Sequence, residues 1–455
     1  MISNRRDFIK KTISGAAGLV LSSSITGISA KSYRRILGAN DRLNVAIVGL
    51  GRRLDAFYEP IARKESNVNL VYLCDVMQSQ RERALRNFSK HIDYKPKLEN
   101  DIRKIIDDPK VDVLINATPD HWHTPGSILG IKGGKHIYVE KPCSHNMYEN
   151  NLLVEAAKKY GKVVQMGVQQ RSSDHTIEII NEIHNGIIGD PYKAVAFFTS
   201  ARGEVPNQQK VPVPLGLDWE LFQGPAPRRK YTSETWDYNW HWYGWDFGTA
   251  EAGNNGTHEF DVARWALQVD YPLDVNVQAE KRYFLNDGWE MYDTMDVTFN
   301  FPKDKIIQWD GKSRNGYRTY GHERGTIIYG SEGTAFIDRN EYILYDRSGK
   351  VVKNRKSTSV EAGNVLGGGG DMTTAHVMNF FNGIRGKNKL TAPIEQGAIT
   401  QALVHYANVA YRIGKGFEID VKTGKMYDRD AMKLWSRDYE GGSLKFKNKF
   451  KQLLL

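Results

Sequence analysis

The segment Leu43-Asn-Val-Ala-Ile-Val-Gly-Leu-Gly51 constrains the fold of this chain more than any other. Its apolar, β-branched run reads as a buried strand. The two glycines that end it let the backbone turn tightly and approach a pyrophosphate at the start of the next helix. Such a turn belongs to a parallel sheet, and from Leu43 to about Gly167 short apolar strands alternate with amphipathic helices. Strands are expected at Leu43–Val48, Leu70–Cys74, Val113–Ala117, His136–Val139 and Val163–Met166. Helices are expected near Ala56–Lys64, Gln78–Phe88, Asp101–Asp107, Pro125–Lys132 and Met147–Tyr160.

The second half changes character. Short runs from Tyr192 to Tyr345, separated by turn signals such as Asn315-Gly316 and Gly330-Ser-Glu-Gly333, suit a largely antiparallel sheet. An aromatic-rich insertion, Trp219 to Trp265, is too long for a plain connection and carries polar residues of functional type. Two helices, Met372–Arg385 and Glu395–Gly414, have apolar stripes through Val377, Phe380 and Phe381 and through Ala402, Val404 and Ala407, which pack against a sheet; Gly367–Gly370 forms a joint before them. At 455 residues the chain exceeds what one core organises. It divides into a leader over residues 1–30, a nucleotide-binding domain over 40–167, a substrate and oligomerisation domain over 168–435 and a basic tail over 436–455.

Net charge is +10, of which the first thirty residues supply Arg5, Arg6, Lys10 and Lys11 against Asp7. Elsewhere, apart from Lys445–Lys451, basic and acidic residues are interleaved, which describes a solvated surface and argues against a nucleic-acid partner. Arg5-Arg6 followed by a weakly apolar, serine-rich run and small residues at Ser29-Ala30 is similar to a twin-arginine export signal, so a periplasmic or otherwise exported location is expected, with no stable membrane span once the leader is removed. Cys74 and Cys143 are the only cysteines and read as free, buried thiols.

Several side chains are placed to do chemistry. Asp75 ends the second strand, at the spacing where a carboxylate accepts hydrogen bonds from the adenosine ribose. An acid there repels a 2′-phosphate and points to NAD, while Arg52 and Arg53 keep NADP open. Leu54 replaces the third glycine of the fingerprint, a position that serves helix packing. Thr118, Pro119, Asp120, His121 and His123 follow the third strand at the ligand-binding edge, where Asp120 could instead cap a helix and His121 be exposed. Glu140-Lys141-Pro142 closes the fourth strand; proline holds Lys141 extended, so a lysine at the cleft mouth can donate a hydrogen bond or exchange a proton. Gly253-Asn-Asn-Gly-Thr-His258 reads as a tight turn entering a helix capped by Thr257, which places His258 in the first turn as a neutral imidazole, with Asp261 within reach to orient it.

These motifs, with Gln165-Met-Gly-Val-Gln169-Gln-Arg171 and Glu-Lys-Pro-Cys-Ser-His145, together resemble the Gfo/Idh/MocA oxidoreductases, especially their exported branch, over residues 40 to 435. The resemblance implies an α/β fold: an N-terminal Rossmann dinucleotide-binding domain followed by a C-terminal α/β domain with a large, open, mostly antiparallel sheet. It implies that Lys141 and His258 form the catalytic pair, that Asp261 is the family's trailing aspartate and that Gln169 lies near the nicotinamide. Asn254 stands where many members carry Asp, which marks a subtype.

Oxidation or reduction of a secondary carbinol on a sugar or glycoside is the expected chemistry, with Arg171, His241, Trp242, Trp245, Asn254 and His258 at the substrate and Trp240 and Tyr243 completing an aromatic platform. A second expectation is glycoside hydrolysis through transient oxidation and elimination, which regenerates NAD. A third is a periplasmic sugar-binding protein that keeps the cofactor as scaffold. An open sheet of this kind leads to an expected homo-oligomer.

Overall fold

The computed structural model describes residues 41–357 and 370–441; the leader, the glycine joint before Gly370 and the basic run Lys445–Lys451 lie outside the described residues. From Leu43 onward the described residues form one unit. Strands β1 (Leu43–Val48), β2 (Val68–Cys74), β3 (Lys97–Glu99), β4 (Val113–Asn116), β5 (His136–Val139) and β6 (Val164–Met166) pair in the order β3-β2-β1-β4-β5-β6. All pairs are parallel. The central strands are apolar at successive positions because both faces are covered, and every residue of β4 is buried. Helices α1 (Tyr58–Ala62), α2 (Gln78–Phe88), α3 (Ile102–Ile106), α4 (Asp120–Lys132) and α5 (Met147–Tyr160) connect the strands.

Two local expectations are corrected. In place of a helix over Ala56–Lys64, the glycine turn opens into a 3₁₀ segment, Arg52–Phe57, before the five-residue α1. Leu54 and Phe57 are both fully buried, and a spacing of three residues aligns them on one side of a three-per-turn helix. Helix α4 begins at Asp120, five residues before Pro125. Proline has no N–H to give the carbonyl of His121 four residues back, and Arg437 Nη2 donates to that carbonyl instead at 2.8 Å.

The second half contains α6 (Asp174–His184), β7 (Pro191–Ala201), α7 (Trp219–Gln223), α8 (Thr257–Leu267), β8 (Asp274–Glu280), β9 (Thr294–Phe301), β10 (Lys305–Lys312), β11 (Arg314–Asn315), β12 (Arg324–Gly330), β13 (Gly333–Ile337), β14 (Glu341–Asp346), β15 (Val351–Lys356), α9 (Gly370–Ile384), α10 (Ile394–Ile413), β16 (Phe417–Glu418) and α11 (Arg429–Lys433). Its large sheet runs β15-β14-β13-β12-β7-β10-β9-β8-β16, with β11 beside β7. Only the β7–β10 pair is parallel. Helices α6, α8 and α10 share the apolar core on one face, while Phe197, Ile327 and Phe336 form a small cluster apart from it.

The boundary drawn at residue 168 is crossed by the chain. The apolar stripe of α9 packs on the sheet of the first half: Val377, Phe380 and Phe381 are fully buried among Val45, Ile47, Phe57 and Tyr138. Residues just past 435 are folded too, since Arg437 Nε donates to Glu149 of α5 at 2.9 Å and the Tyr439 hydroxyl donates to the same carboxylate at 2.9 Å. Among the described residues no helix is long and apolar enough to cross a membrane.

Candidate active site

A cleft of about 530 Å³ opens at the carboxyl ends of β1, β2, β4 and β5 and is closed by the second half. Gly49, Gly51, Asp75, Thr118, Pro119, His123, Glu140, Lys141 and Gln169 line it from the first half, with Arg52 and Arg53. Gly49 has φ +87°, and a Cβ there would lie 2.3 Å from the carbonyl oxygen of Ala117. At Gly51 a Cβ would meet nothing within 4 Å, so the backbone is open to a ligand on that side. Gly49→Ala is therefore expected to cost at least about 2 kcal/mol of stability through strain and clash. Gly51→Ala is expected to leave the melting temperature unchanged and to weaken dinucleotide binding about tenfold or more. Thermal unfolding and a fluorescence titration with NADH separate the two.

Asp75 is fixed at the far end of this turn. Its Oδ2 accepts the Leu50 N–H at 2.7 Å and its Oδ1 the Met77 N–H at 2.8 Å. A carboxylate has about four acceptor sites, so two remain for ribose hydroxyls. Burial raises its pKa against these backbone hydrogen bonds. Both arginines turn away from it: Arg53 Nε donates to Glu140 at 2.7 Å, and Arg52 lies 4.1 Å over the Tyr238 ring and 3.4 Å from Asp237. Each already has an acidic partner and neither contacts Asp75, so the residues present fit NAD. Gln169 Nε2 donates to Glu140 at 3.1 Å and to the Tyr138 hydroxyl at 3.0 Å.

His123 Nδ1 donates to the Pro142 carbonyl at 2.6 Å. Asp120 does not cap a helix starting at Pro125; it is buried and accepts the Thr249 hydroxyl at 2.6 Å. His121 is buried rather than exposed, its Nε2 donating to the Phe222 carbonyl at 2.7 Å. Lys141 does not pair with Glu140. Its Nζ donates to the Asn254 carbonyl at 2.6 Å. Burial pulls its pKa down to about 8, against the opposing charges of Glu140 and Asp120.

The approach to His258 differs from expectation. Gly253-Asn-Asn-Gly256 is not a loop but part of a π-helical turn, Ala252–Gly256, that runs directly into α8. Thr257 is thus not a cap; its hydroxyl donates back to the Gly253 carbonyl at 3.0 Å. His258 is kept neutral by burial first, and then by the positive charges of Arg339, Lys141, Arg324 and Arg53, rather than by a helix terminus. Asp261 does not orient the ring. It faces the opposite way, where Arg171 Nε donates to Oδ2 at 2.7 Å and the Thr400 hydroxyl to Oδ1 at 2.8 Å. Arg171 is correspondingly consumed in a buried ion pair over the Trp265 ring and does not line the cleft.

Of the aromatic platform, Trp240 and His241 line the cleft, joined by Trp236 and Tyr238. His241 stacks on Trp240 with centroids 3.5 Å apart, and its Nδ1 donates to the Tyr238 carbonyl at 2.7 Å. Trp242 is buried behind the wall, stacked 3.9 Å from Trp289, and Tyr243 is fully buried. Trp245 lines a separate surface hollow under Arg412. Asn254 lines the cleft beside Lys141.

Phe198, Ser200, Arg202, Arg324 and Arg339 were not legible as cleft residues but line it. The first three alternate along β7 and its end, so strand periodicity carried a signal for them. Nothing local marks Arg339, which only the sheet topology brings to the site.

Comparison with known proteins adds two family-model matches: an oxidoreductase family with an NAD-binding Rossmann fold, over residues 43–168, and the C-terminal α/β domain of the same oxidoreductases, over residues 181–415. An α-N-acetylgalactosaminidase of Shewanella oneidensis is 26% identical over 202 residues, 41% of this chain and 44% of that protein. The chain spans under half the length of that curated relative. Among solved structures, levoglucosan dehydrogenase in complex with NADH and L-sorbose aligns with a TM-score of 0.63 at 18% identity, covering 83% of this chain and 99% of that one. The WlbA dehydrogenase of Bordetella pertussis, in complex with NADH and UDP-GlcNAcA, aligns with a TM-score of 0.61 at 16% identity, covering 83% and 99%.

Proposed function

Because this chain belongs to the Gfo/Idh/MocA family of NAD-binding oxidoreductases, we propose that it oxidises a secondary hydroxyl of a sugar or glycoside. The observation that carries this reading is the pair of Lys141 and His258 on one cleft, a buried amine with a pKa of about 8 beside an imidazole that stays neutral. Lys141, as the neutral amine, takes the hydroxyl proton and holds it as an ammonium against the Asn254 carbonyl. His258 accepts or donates a hydrogen bond at the same oxygen without itself charging, since burial and then the surrounding cations oppose the imidazolium. When bound, NAD supplies the acceptor for the hydride leaving the carbinol carbon. Tyr238, Trp240 and His241 offer ring faces on which a pyranose can stack.

The similarity to an α-N-acetylgalactosaminidase supports a second outcome from the same first step. A ketone formed on the ring acidifies the neighbouring C–H; loss of that proton lets the glycosidic oxygen leave as the protonated aglycone by elimination, water adds across the C=C so formed, and return of the hydride to the ketone carbon restores the hydroxyl. An exported enzyme, as residues 1–30 suggest, would gain from a cofactor that is regenerated in place. Purified protein incubated with NAD and a panel of free sugars and aryl glycosides tests both. Accumulating NADH with a keto-sugar identifies a dehydrogenase, and aglycone release without net NADH identifies a hydrolase. Neither product from any sugar would overturn the proposal.

A further inference from the structure

We propose that the substrate carries an anionic substituent, a carboxylate or a sulfate ester, and that Arg339 binds it. This deepens the sugar-oxidation reading and rests on it. The other guanidinium groups lining the cleft are each answered by a carboxylate: Arg53 by Glu140 at 2.7 Å, Arg202 by Glu251 at 3.1 Å, Arg324 by Glu259 at 2.7 Å and Arg52 by Asp237 at 3.4 Å. Arg339 has no such partner among the described residues, and its Nε is buried with no hydrogen-bond partner. A half-buried guanidinium left unpaired among other cations is costly, and an incoming anion relieves that cost. Its depressed pKa, about 9, follows from burial and then from the charge of Arg324, which Glu259 and Asp338 offset only in part.

The backbone that carries Arg339 is also held in place. It sits in the turn between β13 and β14, where Asp338 Oδ1 accepts the N–H groups of Asn340 at 2.7 Å and Glu341 at 2.8 Å. The Asp338 carbonyl accepts from His175 Nε2 at 2.9 Å. The charges of Glu259 and Asp338 offset part of that of Arg339, but neither carboxylate forms an ion pair with it, and Asp338 Oδ1 is engaged in the turn. A planar fork of donors suits a bidentate oxyanion better than scattered sugar hydroxyls.

The geometry points to the substrate rather than the dinucleotide as the source of the anion. Arg339 sits between β13 and β14 of the second-half sheet and lines the cleft with Lys141 and His258, both of which feel its charge. Those two groups mark the reacting hydroxyl, whereas the pyrophosphate turn at Gly49–Gly51 follows β1 of the first-half sheet.

The test uses the full chain loaded with NAD, and matched sets of neutral sugars, their uronic acids and their 6-sulfates in gluco, galacto and manno configuration. Calorimetry reads affinity, and NADH formation or aglycone release reads turnover. At least one acidic member is expected to bind tenfold or more tightly than its neutral parent, with the carboxylate and sulfate arms identifying which anion is used. In Arg339→Gln that ratio is expected to fall to near one, and in Arg339→Lys, which keeps the charge without the fork, to an intermediate value. Equal affinity for acidic and neutral members in the parent protein would overturn the inference while leaving sugar oxidation standing. Weakened NADH binding in Arg339→Gln with the ratio retained would also overturn it, by assigning the arginine to the dinucleotide. Failure to bind or convert any sugar would remove the underlying reading as well. Should Arg339→Gln not fold by circular dichroism, the ratios in the parent and in Arg339→Lys decide.

Discussion

Lys141→Met lowers kcat by about 10²–10⁴-fold, the usual contribution of a positioned proton acceptor, while raising the melting temperature. Both effects come from one physical fact. The folded protein holds this amine at a pKa of about 8 against the ordinary lysine value of 10.5, a difference of about 3 kcal/mol between its charged and neutral forms. The unfolded chain binds more protons than the folded one between those two values, so the stability penalty is full below pH about 8 and is relieved as pH rises toward 10.5. A methionine of similar length removes the penalty along with the chemistry. In the parent enzyme, kcat/KM for oxidation climbs about tenfold per pH unit up to about 8 and then levels, because the neutral amine is the working form. Steady-state rates across pH 6 to 10, with differential scanning fluorimetry of the variant, check both halves. A flat profile would assign the proton to another group.

Asp261→Ala costs about 3–5 kcal/mol of folding stability, the range for breaking a buried ion pair and leaving one charge behind. The Asp261 side chain is 1% exposed and that of Arg171 9%. The stranded charge is worse than solitary, since the positive charge of Arg171 also bears on the buried Arg264, and Asp261 offsets both. Chemical denaturation reads the loss. Below the new transition, kcat of the folded fraction stays within about threefold and keeps its pH profile, because Asp261 touches neither His258 nor the cleft. A loss of several orders of magnitude in kcat with normal stability would restore the aspartate to the catalytic machinery.

These two residues also show what a linear chain discloses. Lys141 was legible because its position depends on local facts: it follows an apolar strand, His136–Val139, that ends where the residues say it should. Gly49 and Asp75 were legible for the same reason, each ending a strand of the sheet whose ligand edge is known from topology alone. Asp261 misled because a spacing of three on a helix brings two side chains near one another without deciding which partner each takes. An arginine ninety positions earlier in the chain took it. Gly253-Asn-Asn-Gly256 carries every mark of a loop, yet it is largely buried and runs as a π-helical turn into the next helix, which moves His258 away from a helix terminus. In the run from Trp240 to Trp245, composition announces an aromatic wall but cannot say which rings face inward. Trp242 found Trp289 instead of the cleft, a pairing set by tertiary packing.

The docking of α9 onto the first sheet has a further consequence. The nucleotide-binding half is not a detachable module, because part of its apolar covering is supplied from more than two hundred residues downstream. A fragment ending near residue 168 would display Val45, Ile47, Phe57 and Tyr138 without Val377, Phe380 and Phe381 over them, and would be expected to self-associate on synthesis. Nascent chains emerging from the ribosome therefore cannot complete their first domain until nearly all of the protein has been made, so the order of translation and the order of folding are decoupled.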